Sequence, residues 1–182
     1  MNRIGRAVAV VALLALVAAA SPAQEKPKLV PLKVQVVFSE FEGERKVANL
    51  PYSLLANATE GARGERSSLR IGVRVPIRTQ TKDGPATQYL DVGTYIDCIA
   101  EPYGEGKFAL HLNVRRSFIY SPAGDKKSEE LPAEVEGTPI FRNFDADFRI
   151  ILKDGETIQS MWATDPVSGR VLKVDVTLNV VK

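Results

Sequence analysis

The sequence predicts an all-β chain, a mostly antiparallel sheet folded over or closed against itself around one apolar face. Three observations carry this: apolar residues recur with period two, turn formers separate the runs, and no run has a convincing helical period. Val30, Leu32, Val34, Val36 and Phe38 share the first face. In Val47 to Thr59 the residues Leu54 and Leu55 suit either a short helix or an extended segment, because Pro51 and Asn57 interrupt the pattern. Leu69, Ile71, Val73, Val75 and Ile77 follow, with Arg70, Arg74 and Arg78 on the opposite face and Pro76 pointing to an edge or a bulge.

Thr94, Ile96, Cys98 and Ala100 form the next run, then Phe108, Leu110, Leu112 and Val114 opposite His111, Asn113 and Arg115. Phe144, Ala146, Phe148, Ile150 and Leu152 alternate with Asp145, Asp147 and Arg149. Asp154-Gly155 is a hairpin signal from which Ile158 to Ala163 returns. Leu172, Val174, Val176, Leu178 and Val180 give the clearest alternation and the closing strand. Thr79 to Thr87 and Ser121 to Gly137 read as exposed, mobile loops.

The N-terminus concerns transport. Asn2, Arg3 and Arg6 precede an apolar run from Ala7 to Ala20, and Ser21-Pro22-Ala23 sets small residues where a signal peptidase cuts. Residues 1–23 are therefore expected to be a cleavable signal peptide and residues 24–182 a single β domain, exported to the periplasm or outer membrane. The apolar run is shorter than the roughly 20 residues of a membrane-spanning helix. Removing it takes two of the 24 basic residues and none of the 22 acidic ones, which leaves 22 of each. A neutral chain with dispersed Lys and Arg lacks the basic footprint of a nucleic-acid binder.

Little in the sequence suggests catalysis. Cys98 and His111 are the single cysteine and histidine, so no disulfide and no ordinary zinc site can be assembled, and no cofactor is called for. His111 on a polar strand face has no sequence-local acid or nucleophile, and Cys98 between Ile96 and Ala100 reads as a buried, inert thiol. Asp145 and Asp147 share a face but fall short of the six to eight oxygens of a calcium site. Gly61, Gly64 and Gly72 lack the spacing of a phosphate loop.

Three linked motifs carry a resemblance. Leu69-Arg70-Ile71-Gly72-Val73-Arg74-Val75-Pro76-Ile77 precedes Tyr89-Leu90-Asp91-Val92-Gly93-Thr94-Tyr95-Ile96-Asp97, and Pro139-Ile140-Phe141-Arg142 precedes Lys153-Asp154-Gly155-Glu156-Thr157. In order and spacing this resembles the C-terminal β domain of the bacterial secretins, the outer-membrane channel proteins of type II and type III secretion and of type IV pili. Gly72, Val75, Pro76, Asp91, Val92, Gly93, Pro139, Asp154, Gly155 and Thr157 are the positions that match the family pattern, in structural roles. Gly72 suits a close backbone approach, Val92-Gly93 interrupts the alternation as a bulge would, and Asp154-Gly155 supplies positive φ.

The sequence departs from the family as well. Gln159-Ser160-Met161-Trp162 stands where secretins carry a glycine-rich segment and a Val-Pro-containing lip, and residues before Leu29 leave no room for their small periplasmic domains. The resemblance implies a reduced, secretin-like domain: a non-enzymatic envelope protein that assembles with itself or with secretion or pilus machinery, with peripheral membrane association at most. The alternative is a periplasmic β-sandwich that binds a small ligand or glycan, in which Tyr95, Tyr103, Tyr120 or Trp162 would line the site.

Overall fold

The computed structural model describes residues 28–61, 64–81, 84–120, 140–166 and 168–182. The signal segment, Pro139 and the 121–137 loop lie outside them. Eight strands account for nearly all of the described chain: β1 (Leu29–Glu42), β2 (Arg45–Thr59), β3 (Arg66–Thr81), β4 (Gly84–Gly104), β5 (Lys107–Tyr120), β6 (Ile140–Lys153), β7 (Thr157–Thr164) and β8 (Val171–Val180). They form two wholly antiparallel four-stranded sheets, ordered β2-β1-β8-β7 (sheet A) and β3-β4-β5-β6 (sheet B).

The period-two faces explain the layering. Leu32, Val34, Val36 and Phe38 from β1, Leu54, Ala56 and Ala58 from β2, and Val174, Val176 and Leu178 from β8 form the inner face of sheet A. Ile96, Cys98, Ala100, Leu110, Leu112, Val114 and Leu152 meet them from sheet B. Each fully buried large side chain contributes about 1.5–3 kcal/mol relative to exposure, so these two faces are what hold the layers together. β2 lies over β3 and β4, and β6 over β7 and β8. Phe38 makes edge-to-face contacts with Tyr52 at 5.7 Å and Phe144 at 6.3 Å, and the Thr94 hydroxyl donates to the Tyr52 oxygen at 3.1 Å across the layers.

Several local expectations change. Val47 to Thr59 is extended, because register with β1 lets every second side chain reach the core, and Pro51 is tolerated on the outermost strand of sheet A. Pro76 likewise sits on β3, the outermost strand of sheet B. Within the expected 79–87 loop, Thr79 to Thr81 and Gly84 to Thr87 are strand and pair in register at the ends of β3 and β4.

Asp154-Gly155 is not a hairpin turn between paired strands, since β6 belongs to sheet B and β7 to sheet A. Gly155 has φ of +76° as the turn signal requires, but the turn carries the chain between layers. The turn closes on itself, the Glu156 amide donating to the Lys153 carbonyl at 3.2 Å, and is tied to β8: the Gly155 amide donates to the Leu178 carbonyl at 2.8 Å, and the Val180 amide donates to Asp154 Oδ1 at 2.7 Å. The Thr157 and Thr177 hydroxyls then share a 2.8 Å bond as β7 joins sheet A.

Candidate functional site

Of the motif positions, Gly72, Val75, Pro76, Asp91, Val92 and Gly93 lie at or beyond the point where sheet B forks, whereas Asp154, Gly155 and Thr157 lie at the opposite end, past the Lys107–Lys153 pair, and Pro139 is outside the described residues. β4 pairs with β5 only as far as Thr94, opposite Arg116. Beyond it the β3–β4 ribbon continues to Thr81 and Gly84, while the β5–β6 ribbon continues to Tyr120 and Ile140. Ser117 marks the fork. Its hydroxyl accepts the Gly93 amide and donates to the Asp91 carbonyl, each at 3.1 Å, replacing strand pairing with a side chain.

Gly72 and Gly93 are direct partners at the fork. A Cβ on Gly93 would lie 2.1 Å from the Ile71 carbonyl oxygen and 2.5 Å from the Gly72 Cα, and one on Gly72 would lie 2.5 Å from the Val92 carbonyl oxygen. Only glycine allows this approach. The register of β3 on β4 is unbroken from Arg66 to Thr81, so Val92-Gly93 is not a bulge. The alternation fades there because the ribbon leaves the cover of sheet A, and a side chain's face no longer decides its burial. The irregularity in β4 lies instead between Pro102 and Gly104.

The outer ribbon is amphipathic. Ile71, Val73, Val75 and Ile77 share a face with Leu90 and Val92, in line with the core-facing side of the sheet, yet Ile71 and Val73 are exposed. The other face carries the Arg74–Asp91 ion pair at 3.0 Å and sets Pro76 opposite Tyr89.

The outer face of sheet B is a ladder of paired charges. The Arg70 guanidinium donates to both Asp97 carboxylate oxygens at 2.7 and 2.8 Å and lies over the Tyr95 ring. Partial burial pushes the Asp97 carboxyl up, but the Ser68 hydroxyl, the Arg70 bonds and the charges of Arg70 and Arg66 outweigh it and hold it below its ordinary value. Arg115 meets Asp145 at 3.1 Å and Asn113 donates to Asp147 at 3.2 Å, so the two aspartates form a solvated, partnered strand face. His111 is part-exposed on this face, 3.9 Å from Glu101. Among the described residues no three His, Cys, Asp or Glu side chains converge as a cation site. Cys98 is fully buried, and burial pushes its thiol up from 9.0 to about 12.

The aromatic residues suggested for a binding site do not converge. Tyr95 and Trp162 lie on the outer faces of different sheets, Tyr103 is exposed near the β4–β5 turn, and the Tyr120 side chain lies outside the described residues. The structure instead opens a cavity of about 300 Å³ between the sheets at the forked end. Phe118, Phe144, Ala163 and Leu172 give it apolar walls, and Arg116, Arg142, Arg170, Glu40 and Asp165 supply its charges.

Two ion pairs clamp the layers there. Arg116 donates to Glu40 at 2.6 Å and Arg142 donates to Asp165, with the arginine side chains 13% and 12% exposed. Arg116 is also stacked between Phe38 at 5.8 Å and Phe118 at 5.2 Å. Asp165 is fixed by its own turn: its side chain accepts the Ser168 amide, and its amide donates to the Arg170 carbonyl at 2.8 Å. Neither pair is legible from sequence spacing, because the partners are 76 and 23 residues apart on different sheets.

No family model and no curated protein matches the sequence. Solved structures do match the fold. The Salmonella SPI-1 type III secretion injectisome secretin InvG superposes with a TM-score of 0.54 at 10% identity, over 97% of this chain and 70% of that one. GspD in the ETEC pilotin–secretin AspS–GspD complex gives 0.53 at 8% identity, over 94% of this chain and 53% of that one. The type II secretin GspD of enteropathogenic Escherichia coli gives 0.52 at 8%, over 94% and 74%. The chain thus spans from about half to three quarters of the chains it matches, and its two sheets have the fold of the secretin β domain.

Proposed function

We propose that residues 24–182 act as an exported, non-enzymatic β domain of the cell envelope, which associates with copies of itself or with secretion machinery through its open sheet edges. The forked sheet carries this reading. Its β3–β4 ribbon projects past the sandwich with an apolar face, exposed at Ile71 and Val73, that no described residue covers. Its outermost strands, β3 and β6, each present a backbone edge with no strand partner among the described residues. An open edge is a template for strand addition, and β6 offers fourteen residues without a proline.

The fold likeness supports a secretion-type role. The solved structures include an injectisome basal body of InvG, PrgH and PrgK and a secretin bound to a pilotin, which makes protein partners the natural class to test. Purification without detergent, followed by light scattering, cross-linking and electron microscopy, tests the reading. Concentration-dependent oligomers or rings are expected. A chain that stays monomeric at high concentration and captures no envelope protein on cross-linking in cells would overturn it. The second reading, a ligand-binding sandwich, is favoured by one observation, the cavity at the forked end.

A further inference from the structure

We propose that the outer face of sheet A binds a neutral oligosaccharide, one ring of which stacks on Trp162. The proposal goes beyond the assembly reading and does not depend on it, since the strand edges that reading uses, β3 and β6, belong to sheet B.

A bulge aims the ring. Thr157 and Gln159 face outward opposite Thr177 and Asp175, and uninterrupted alternation would turn Ser160 and then Trp162 inward. The register of β7 on β8 shifts between Gln159 and Met161, so Ser160 is the extra residue, and its hydroxyl donates to the Val174 carbonyl at 3.0 Å. Met161 then packs against the core and Trp162 points outward opposite Lys173. The single tryptophan of the chain is thereby 70% exposed, although tryptophan is on average a highly buried residue. Re-aiming a side chain in this way is a known use of bulges beside functional sites.

The surroundings select the ligand. On the same face Ser53, Gln35, Thr177 and Thr157 form one row across β2, β1, β8 and β7, and Gln159 stands between that row and the tryptophan. Hydroxyls and primary amides both donate and accept, as sugar hydroxyls do, and they cost far less to desolvate than ions. Charge complementarity points the same way. Asp175, the partner of Gln159, repels an anion, and Lys173, the partner of Trp162, repels a cation, with its ammonium 4.6 Å from the Phe41 ring centre.

A lipid surface or a protein hot spot would surround the indole with further apolar side chains, whereas its neighbours on β7 and β8 are Gln159, Asp175 and Lys173. A pyranose fits both parts, with a C–H face for the indole and a rim of hydroxyls for the polar row. Thr157 and Trp162 lie about 15 Å apart along β7 at roughly 3.3 Å per residue, so a ligand that uses both is an oligosaccharide rather than one sugar.

Because the chain has one tryptophan, its fluorescence reports on the site directly. Chitotetraose, cellotetraose and maltotetraose are titrated into the purified chain, with a hyaluronan tetrasaccharide and a chitosan tetramer as anionic and cationic counterparts. At least one neutral tetrasaccharide should shift the emission to the blue with half-saturation at or below about 1 mM, and the charged ones should bind at least about tenfold more weakly. By calorimetry, Trp162→Ala should abolish binding, Trp162→Tyr should restore part of it, and Gln159→Ala should weaken it about threefold, as loss of one hydrogen bond does. These side chains lie outside the core, so each variant should stay folded by circular dichroism. No response to any neutral tetrasaccharide, equal binding of the charged counterparts, or unchanged binding in folded Trp162→Ala would each overturn the proposal. A blue shift from phosphatidylglycerol vesicles, or from raising the protein concentration, with none from the sugars would also overturn it, assigning the ring to a membrane surface or to a second copy.

Discussion

Replacing Glu40 by Gln tests how the layers are joined at the forked end. The substitution keeps shape and removes the charge that faces Arg116 at 2.6 Å, where the two side chains are 20% and 13% exposed. Breaking a buried pair costs about 3–5 kcal/mol because the remaining charge is stranded, whereas an exposed pair is worth about 0–1 kcal/mol. With this much residual access, and with Arg116 still stacked on Phe38 and Phe118, a loss of about 2 kcal/mol is expected. Arg116→Met should cost a similar amount by stranding Glu40. The double variant should then lose less than the sum of the two, with a coupling of about 1–2 kcal/mol. Urea unfolding of all four proteins, with linear extrapolation, measures these terms. Additive losses, or a Glu40→Gln loss below about 0.5 kcal/mol, would refute the reasoning and leave apolar packing alone to hold that end.

Gly93→Ala should dislodge the β3–β4 ribbon without unfolding the core, because its Cβ would meet backbone at 2.1 Å; faster amide exchange confined to the ribbon is the expected result, and an unchanged exchange pattern would count against the fork geometry. Asp97→Asn should lower stability near neutral pH, and its deficit should vanish in acid: a carboxyl held below its ordinary value contributes stability above its unfolded pKa and loses it as pH falls through the folded one, so urea midpoints measured down the acid range check the sign. Cys98 should resist alkylation in the folded chain and react after unfolding, and its contribution to stability should decline as pH rises from 9.0 toward about 12, since only the unfolded thiol ionises across that window. Intact-mass measurement of the exported protein should find a chain that begins at or near Gln24, and an uncut chain after export would exclude the signal-peptide reading.

Strands were legible because half-buried sheets write burial into every second residue. Val34, Val36 and Phe38, or Val174, Val176 and Leu178, announce both the strand and its inner face before any partner is known. Where only one side of that rule applies, the sequence misleads. Val47 to Thr59 looks interrupted because Pro51 and Asn57 fall on an outermost strand, where one edge makes no ladder bonds within the sheet. The stretch from Thr79 to Thr87 looks like a loop, yet its described residues pair as the outer ends of β3 and β4. Gly155 and Gly104 both carry positive φ, +76° and +93°, so the backbone demand that seemed to single out the Asp-Gly turn is shared by an ordinary strand connection.

The motif glycines and the cavity differ in legibility for a related reason. Gly72 and Gly93 lie on adjacent antiparallel strands, so a tight approach between them leaves a mark in two nearby segments of sequence, even though the bulge assigned to Val92-Gly93 is absent. The cavity requires sheet A and sheet B to be placed face to face, and that placement depends on which strand follows the turn at Asp154-Gly155. Read as a hairpin, the turn would put β7 beside β6; as an interlayer corner, it sends β7 to β8 and brings Asp165 across to Arg142. A type I′ hairpin needs positive φ at both Asp154 and Gly155, and of the two only Gly155 has it here, although the Asp-Gly sequence suits either course. What separates them is the set of bonds from Gly155 and Val180 across the β8 end, which are long-range and carry no local signature. The arginines of the cavity are therefore visible as residues and invisible as a site; of the aromatic residues the sequence suggests, Tyr103 and Trp162 are exposed and Tyr95 lies on an outer face, while the walls come from Phe118 and Phe144.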